Sequence, residues 1–199
     1  MRSPHTIGLF RGPEILPWLE DVAALRIAVF REWPYLYEGT DGYERDYLSA
    51  YAASRDSLFV LAMAEGQVVG ASTGLPLLHD GQHFHDPLVS HGIDPEQVFY
   101  FGESVLLPEW RGRGIGHAFF DHREAHARAL GYRVTAFASV DRLPEDARCP
   151  PTYRSNDVFW GKRGYARQEG LTMQLAWREP GLGEVQHSLT FWLRDWEAA

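Results

Sequence analysis

The stretch Val98-Phe-Tyr-Phe-Gly-Glu-Ser-Val-Leu-Leu-Pro-Glu-Trp-Arg-Gly-Arg-Gly-Ile-Gly-His117 decides how this chain is read. Val98 to Leu107 has the apolar and aromatic character of a buried strand. Pro108 to Gly116 is a turn rich in arginine and glycine, and His117 to Leu130 is an amphipathic helix closed by Gly131. A second strand, Arg133 to Val140, follows, and the handedness of such crossovers makes it parallel to the first. Glycines at 112, 114 and 116 let successive backbone N–H groups point into one concavity, to which the helix adds its positive end. Such a site binds a pyrophosphate.

Two nucleotide motifs are excluded. A dinucleotide fingerprint needs glycine at 117, where histidine stands, and a Walker loop needs Gly-Lys-Ser/Thr, whereas the only lysine is the distant Lys162. What remains is Arg-x-x-Gly-x-Gly, carried by Arg111, Gly114 and Gly116 and preceded by Leu106-Leu-Pro.

Working outward, Thr6 to Phe10 reads as a strand, Pro17 to Phe30 as an amphipathic helix stopped by Trp33-Pro34, and Tyr43 to Ala53 as a second helix. Ser57 to Ala64 and Val68 to Leu77 flank the hairpin signal Glu65-Gly66-Gln67. The polar segment 79–96 is a loop or short-helix insertion, and 141–153, with Pro144, Pro150 and Pro151, is irregular. Asn156 to Arg163 is a short helix, and Leu171 to Trp177 and Val185 to Trp192 are two final strands.

The motif and this order of elements resemble the GCN5-related N-acetyltransferases (GNAT). The resemblance implies one N-acetyltransferase domain over residues 1–199. Its α/β fold would have a mixed, mostly antiparallel central sheet flanked by helices, with a splayed parallel strand pair at the cofactor site. Acetyl-CoA is then the co-substrate, with no metal. Its pyrophosphate would meet the amides of Gly112, Arg113, Gly114, Ile115, Gly116 and His117, with Arg111 and Arg113 adding charge. Its pantetheine arm would lie along Ser104, Val105 and Leu106, and Pro108, which cannot donate to a neighbouring strand, suits the splay.

An amine acceptor must lose a proton, so a base is required. Alternation places Phe101, Glu103, Val105 and Leu107 on one face, leaving Glu103 a carboxylate among apolar neighbours, where burial raises its pKa. Glu103 is the candidate catalytic base, and a structural carboxylate bonded to backbone or arginine is the alternative. At the position where the family carries its acidic tyrosine stands Trp160, whose indole is too weak an acid; Tyr153 lies seven residues earlier. Acetyl transfer by direct attack of an amine in a ternary complex is the expected function, with a non-catalytic acyl-CoA binding domain or a longer acyl donor as alternatives.

Other residues carry weaker signals. His122 and His126 have chelating spacing on the helix, but they fall with Ile115, Phe119 and Ala129 on its sheet-facing side and read as hydrogen-bonded, partly buried histidines. His79, His83, His85, Asp86 and His91 read as solvated loop side chains, with the lining of an acceptor pocket, an alternative base or a metal site as the other readings. Trp33, Tyr35, Tyr37 and Tyr43, near Glu32 and Glu38, would suit a cationic amine as an aromatic wall. Trp177, Phe191, Trp192 and Trp196 serve the core or a homodimer face.

Composition sets the outer bounds. With 199 residues, 45% apolar, the chain is long enough to bury a core without disulfides or metal. One cysteine, Cys149, leaves no disulfide framework and no zinc ribbon. A net charge of −8 disfavours nucleic acid, and no apolar run suggests a membrane span. A cytoplasmic enzyme acting on a small-molecule or peptide amine is expected.

Overall fold

The computed structural model describes residues 4–143 and 145–197, and the side chains of residues 82 and 83 lie outside the description, as does the expectation for His83. Strands β1 (Thr6–Arg11), β2 (Leu58–Ala64) and β3 (Gln67–Pro76) are antiparallel neighbours. The β2–β3 turn places Glu65 and Gly66 at positive φ, as a tight hairpin requires. Short β4 (Val98–Tyr100) and β5 (Ser104–Leu106) both pair with β3, and β4 runs parallel to β6 (Val134–Val140). The long hairpin β7 (Ala166–Glu179) and β8 (Gly183–Asp195) completes the order β1-β2-β3-β4-β6-β8-β7. A mixed, mostly antiparallel sheet with one parallel pair is therefore observed.

Buried positions on the helices follow the spacing that brings residues onto one face. Helix α1 (Leu19–Phe30) buries Val22, Leu25 and Arg26, and α2 (Asp41–Ala53) buries Glu44, Leu48, Tyr51 and Ala52. Together with α3 (Gln82–Ser90) they cover one face of the sheet, where Leu48, Phe59, Leu61, Leu75, Leu88 and Phe191 join one cluster. Helix α4 (Ile115–Ala129) and α5 (Asp157–Lys162) cover the other. There Ile115 and Phe119 pack on Val60 and Ala62, and Phe120 packs on Phe99, Phe101 and Phe137. Strand β2 is buried on both faces, which explains its unbroken apolar sequence.

Four sequence expectations are corrected. Residues 98–107 are two strands separated by a bulge, because Thr73 alone faces both Gly102 and Glu103. Its carbonyl accepts from the Gly102 N–H at 3.2 Å, and its N–H donates to the Glu103 carbonyl at 3.1 Å. The extra residue shifts the alternation, so Phe101 packs on the α4 side while Val105 packs on the α1 side. On α4, whose buried residues are Ile115, Phe119, Phe120, Arg123, Glu124 and Ala127, Ala129 is exposed and does not face the sheet, while His122 and His126 are partly buried as expected. His126 does bond the Asp56 carbonyl at 2.9 Å. His85 is buried with Nε2 2.6 Å from the Leu77 carbonyl, so it is not a solvated side chain. Segment 79–96 is indeed a short-helix insertion, and Phe191 and Trp192 are core residues.

Candidate active site

The bulge opens the site. Strand β4 and β6 pair only over Val98↔Val134 to Tyr100↔Ala136, and the Phe101 N–H closes the ladder on the Ala136 carbonyl at 2.7 Å. Beyond it β5 stays with β3 and β6 stays with β8, so the two diverge. A cleft of about 880 Å³ occupies the gap, reached by Ser104 and Leu106 from one side and Ala138 and Val140 from the other. The Leu107 N–H bonds Val69 and the Glu103 carbonyl bonds Thr73. Antiparallel alternation therefore turns the main-chain groups of Ser104 and Leu106 away from β3 and toward the cleft.

At one end of the cleft is the loop into α4. Gly112 and Gly114 have φ of +71° and +83°, a left-handed conformation that costs an ordinary residue about 1–2 kcal/mol. The first bond within α4 runs from the Ala118 N–H to the Gly114 carbonyl, so the N–H groups of Ile115, Gly116 and His117 precede the helical ladder. Arg111 Nε donates to the Leu106 carbonyl at 3.1 Å and Nη2 to Glu32 at 2.9 Å. Arg113 donates to the Glu109 carbonyl at 2.8 Å and lies over the Trp110 ring. These contacts hold two guanidinium groups beside a concavity of amides, an arrangement that fits a polyphosphate. Gly116 lines the cleft, and the exposed His117 accepts from Arg163 at 3.2 Å. Ile115 turns its side chain into the core, leaving only its main chain for a ligand, whereas Val105 is buried opposite Ala71 with its main-chain groups facing β3 and not the cleft.

Deep in the cleft stands Glu103, 6% exposed. Its surroundings are not the apolar ones expected from alternation. The bulge aims it at α1 and α2, where Oε2 pairs with Arg26 Nη1 and accepts from the Tyr47 hydroxyl at 3.2 Å. Arg26 also donates to Glu44 at 2.5 Å, and Glu44 accepts from Tyr37 at 2.6 Å. Buried Arg26 is thus shared by two buried carboxylates, and burial alone would pull its pKa down, but Glu103, Tyr47 and Glu44 reverse that and raise it. Glu103 Oε1 is buried and has no protein partner. Such an orphan is costly unless a ligand uses it.

The bulge itself is fastened by Arg123 of α4. Its guanidinium, 1% exposed, donates to the carbonyls of Thr73 and Glu103 at 3.0 Å and to Ser104 Oγ at 2.8 Å. Burial pulls its pKa down to about 10, which still leaves it charged at neutral pH. Arg26, Glu44, Tyr47 and Arg123 were not singled out from the sequence. The available signal was a charged residue on an apolar helix stripe, as with Arg26 between Leu25 and Ile27.

The aromatic wall is only partly the expected one. Trp33 and Tyr35 line the cleft, with Tyr153 facing Trp33 edge-on at 6.2 Å. Tyr37 instead serves Glu44, Tyr43 is 61% exposed, Glu32 is taken by Arg111, and Glu38 lies 3.6 Å from Arg178. Trp160 packs on Phe137 and Trp192 at ring separations of 4.9 and 5.1 Å while bordering the cleft. Among the described residues no group of three His, Cys, Asp or Glu side chains converges as for a metal, and no helix is long and apolar enough to cross a membrane.

Solved structures share this architecture. An N-acetyltransferase from Staphylococcus aureus Mu50 aligns with a TM-score of 0.63 and 13% identity over 97% of this chain and 99% of that one. A GCN5-related N-acetyltransferase from Kribbella flavida gives 0.56 and 19%, over 95% and 97%. A GNAT superfamily phosphinothricin acetyltransferase from Sinorhizobium meliloti, solved in complex with AcCoA, gives 0.60 and 17%, over 96% and 88%. No curated protein sequence matches the chain significantly. The sequence model of the Acetyltransferase (GNAT) family matches residues 22–147, spanning α1, the bulge, the glycine loop and β6. With that match lying over the very elements that build the cleft, the chain belongs to the GNAT acetyltransferase family.

Proposed function

We propose that this chain transfers an acetyl group from acetyl-CoA to an amine by direct attack within a ternary complex, with Glu103 as the general base. The observation that carries the reading is Glu103 Oε1, buried and unpartnered in the same cleft as the free edge of β5 and the amide concavity before α4. The S. meliloti structure, which holds AcCoA, supports the choice of donor.

In this reading the amides of residues 112–117, with Arg111 and Arg113, hold the pyrophosphate. The outward main-chain groups of Ser104 and Leu106 pair with the amide-bearing arm, and a β5 N–H polarises the thioester carbonyl. The amine nitrogen gives its proton to Glu103 Oε1 and attacks the carbonyl carbon. The tetrahedral intermediate then collapses, the C–S bond breaks, and CoA leaves as the thiolate. A thiol of pKa about 8.5 is a good leaving group without strong acid assistance. That suits a cleft where tryptophan stands at 160 and where burial raises Tyr153 above its ordinary value and Tyr35 to about 12.

The test is CoA release from acetyl-CoA with a panel of small amines and peptide N-termini. Turnover with at least one amine, abolished in Glu103→Gln while acetyl-CoA affinity is retained, is the expected result. Tight acetyl-CoA binding with no turnover across the panel overturns the catalytic reading and leaves a binding domain.

A further inference from the structure

A base buried under its substrate has to be emptied between turnovers, and the acceptor blocks the cleft side of Glu103. On the opposite side, a file of hydroxyls leads away from it. Building on the reading of Glu103 as the base, we propose that Tyr47, Tyr51 and Asp80 form the exit by which its proton reaches solvent.

The geometry is continuous. Tyr47 Oη lies 3.2 Å from Glu103 Oε2 and 3.0 Å from Tyr51 Oη, and Tyr51 donates to Asp80 Oδ2 at 2.9 Å. The two tyrosines stand four residues apart on α2, the spacing that stacks side chains on one helix face, and their ring centroids are 5.0 Å apart. Tyr51 is 1% exposed, whereas Asp80, in the turn after β3, is partly exposed and also accepts from the Gly81 N–H. The file therefore runs from a buried carboxylate to one that water reaches.

A phenol both donates and accepts, so it can pass a proton on without changing its own count. With Glu103 ionised, Tyr47 donates to Oε2. After Oε1 takes the amine proton, a half-turn of the carboxyl about its Cγ–Cδ bond brings the protonated oxygen to Tyr47. The Glu103 O–H bond breaks as an O–H bond forms at Tyr47 Oη. Tyr47's own proton moves to Tyr51 Oη, and Tyr51's moves to Asp80 Oδ2. Each tyrosine ends with one proton, Glu103 is again a carboxylate, and Asp80 releases the proton to water. Burial pushes both phenols well above their ordinary values, which disfavours a tyrosinate and makes the transfer a joint shift along the file.

A second feature ties the file to the bulge. At Gly102 an added Cβ would lie 2.5 Å from Tyr51 Oη and 2.7 Å from Thr73 Oγ1. The backbone that aims Glu103 into the cleft thus also makes room for the second hydroxyl. A simple tie between α2 and the sheet needs one hydroxyl; here two stand in series between two carboxylates.

The experiment compares wild type, Tyr51→Phe and Asp80→Asn in steady-state turnover with saturating acetyl-CoA and the amine of the panel that releases CoA fastest, at rising imidazole buffer concentration. Tyr51→Phe keeps the ring and removes only the relaying hydroxyl; Asp80→Asn is an independent change nearer the surface. The expected result is a rate lowered about tenfold in both variants, restored by buffer, with acetyl-CoA affinity unchanged and wild type insensitive to buffer. Rates in both variants that are unchanged, or lowered but indifferent to buffer, overturn the relay, since a merely structural tie gives no rescue. Glu103→Gln separates the failures: activity surviving it removes the base itself, whereas activity lost in it with no buffer rescue of the other two removes the relay alone.

Discussion

Two buried carboxylates, Glu103 and Glu179, are handled in opposite ways. Glu179, at the end of β7, receives one arginine per oxygen: Arg142 lies 2.6 Å from Oε1 and Arg148 pairs with Oε2. Although burial works to raise its pKa, the bonds from Arg148 and Arg142 hold the carboxyl below the usual range. Arg142 also donates to the carbonyls of Pro34 and Tyr35 at 2.6 and 2.7 Å, so this cluster ties the α1–α2 loop to the final hairpin. Glu103 shares a single arginine with Glu44 and keeps one oxygen unpartnered in a cleft. An arginine against each oxygen marks a structural fastening, even though Arg142 meets Oε1 as a close ion pair and not as an aligned hydrogen bond. A carboxylate left half-satisfied beside a cavity has stability given up for chemistry.

The comparison breaks most sharply if the two glutamates respond alike. Glu103→Gln is expected to lower kcat about 100-fold or more, whereas Glu179→Gln leaves kcat within a few-fold and instead lowers the urea midpoint; equal losses of kcat would erase the distinction. Arg26→Met strands two buried carboxylates and should destabilise by about 3–5 kcal/mol in urea unfolding, more than Arg148→Met, because Arg148 is 41% exposed at its side chain. Gly114→Ala puts a side chain at φ +83°, and the strain of about 1–2 kcal/mol should weaken acetyl-CoA binding roughly tenfold in calorimetry while leaving the pH dependence of kcat unchanged. The smallest effect belongs to His126. Burial lowers its pKa in the fold, so the unfolded chain binds more protons. Its contribution to stability is complete above about pH 6.5 and fades as pH falls through the folded pKa. His126→Asn should flatten the loss of stability on acidification below about pH 6.5.

Much of this was legible before the structure. The strand, glycine loop and helix, the parallel pair and the terminal hairpin follow from periodicity and from the positive φ that Gly112 and Gly114 supply. What periodicity could not give was the bulge. Nothing in Phe101-Gly102-Glu103 alone shows that Thr73, thirty residues earlier, will face two residues at once, so alternation put Glu103 with Phe101. The partners of Glu103 were hidden for the same reason. Arg26, Tyr47 and Arg123 come from three helices, and only tertiary packing shows that their polar ends meet at one strand. The aromatic loop was half read, since sequence places Tyr37 beside Trp33 and Tyr35 but not the Glu44 that draws it away.

The divergence of β5 from β6 also bears on solubility. Unpaired strand edges are templates on which another chain can add itself, and proteins blunt them with charge, brevity or cover. Here the two inner edges face each other across a narrow space, bordered by Phe119 and Phe120 of α4 and by the 29–36 loop. A foreign strand has no straight approach to them, and β5 is only three residues long. The molecule carries an opened sheet without presenting those edges to its neighbours.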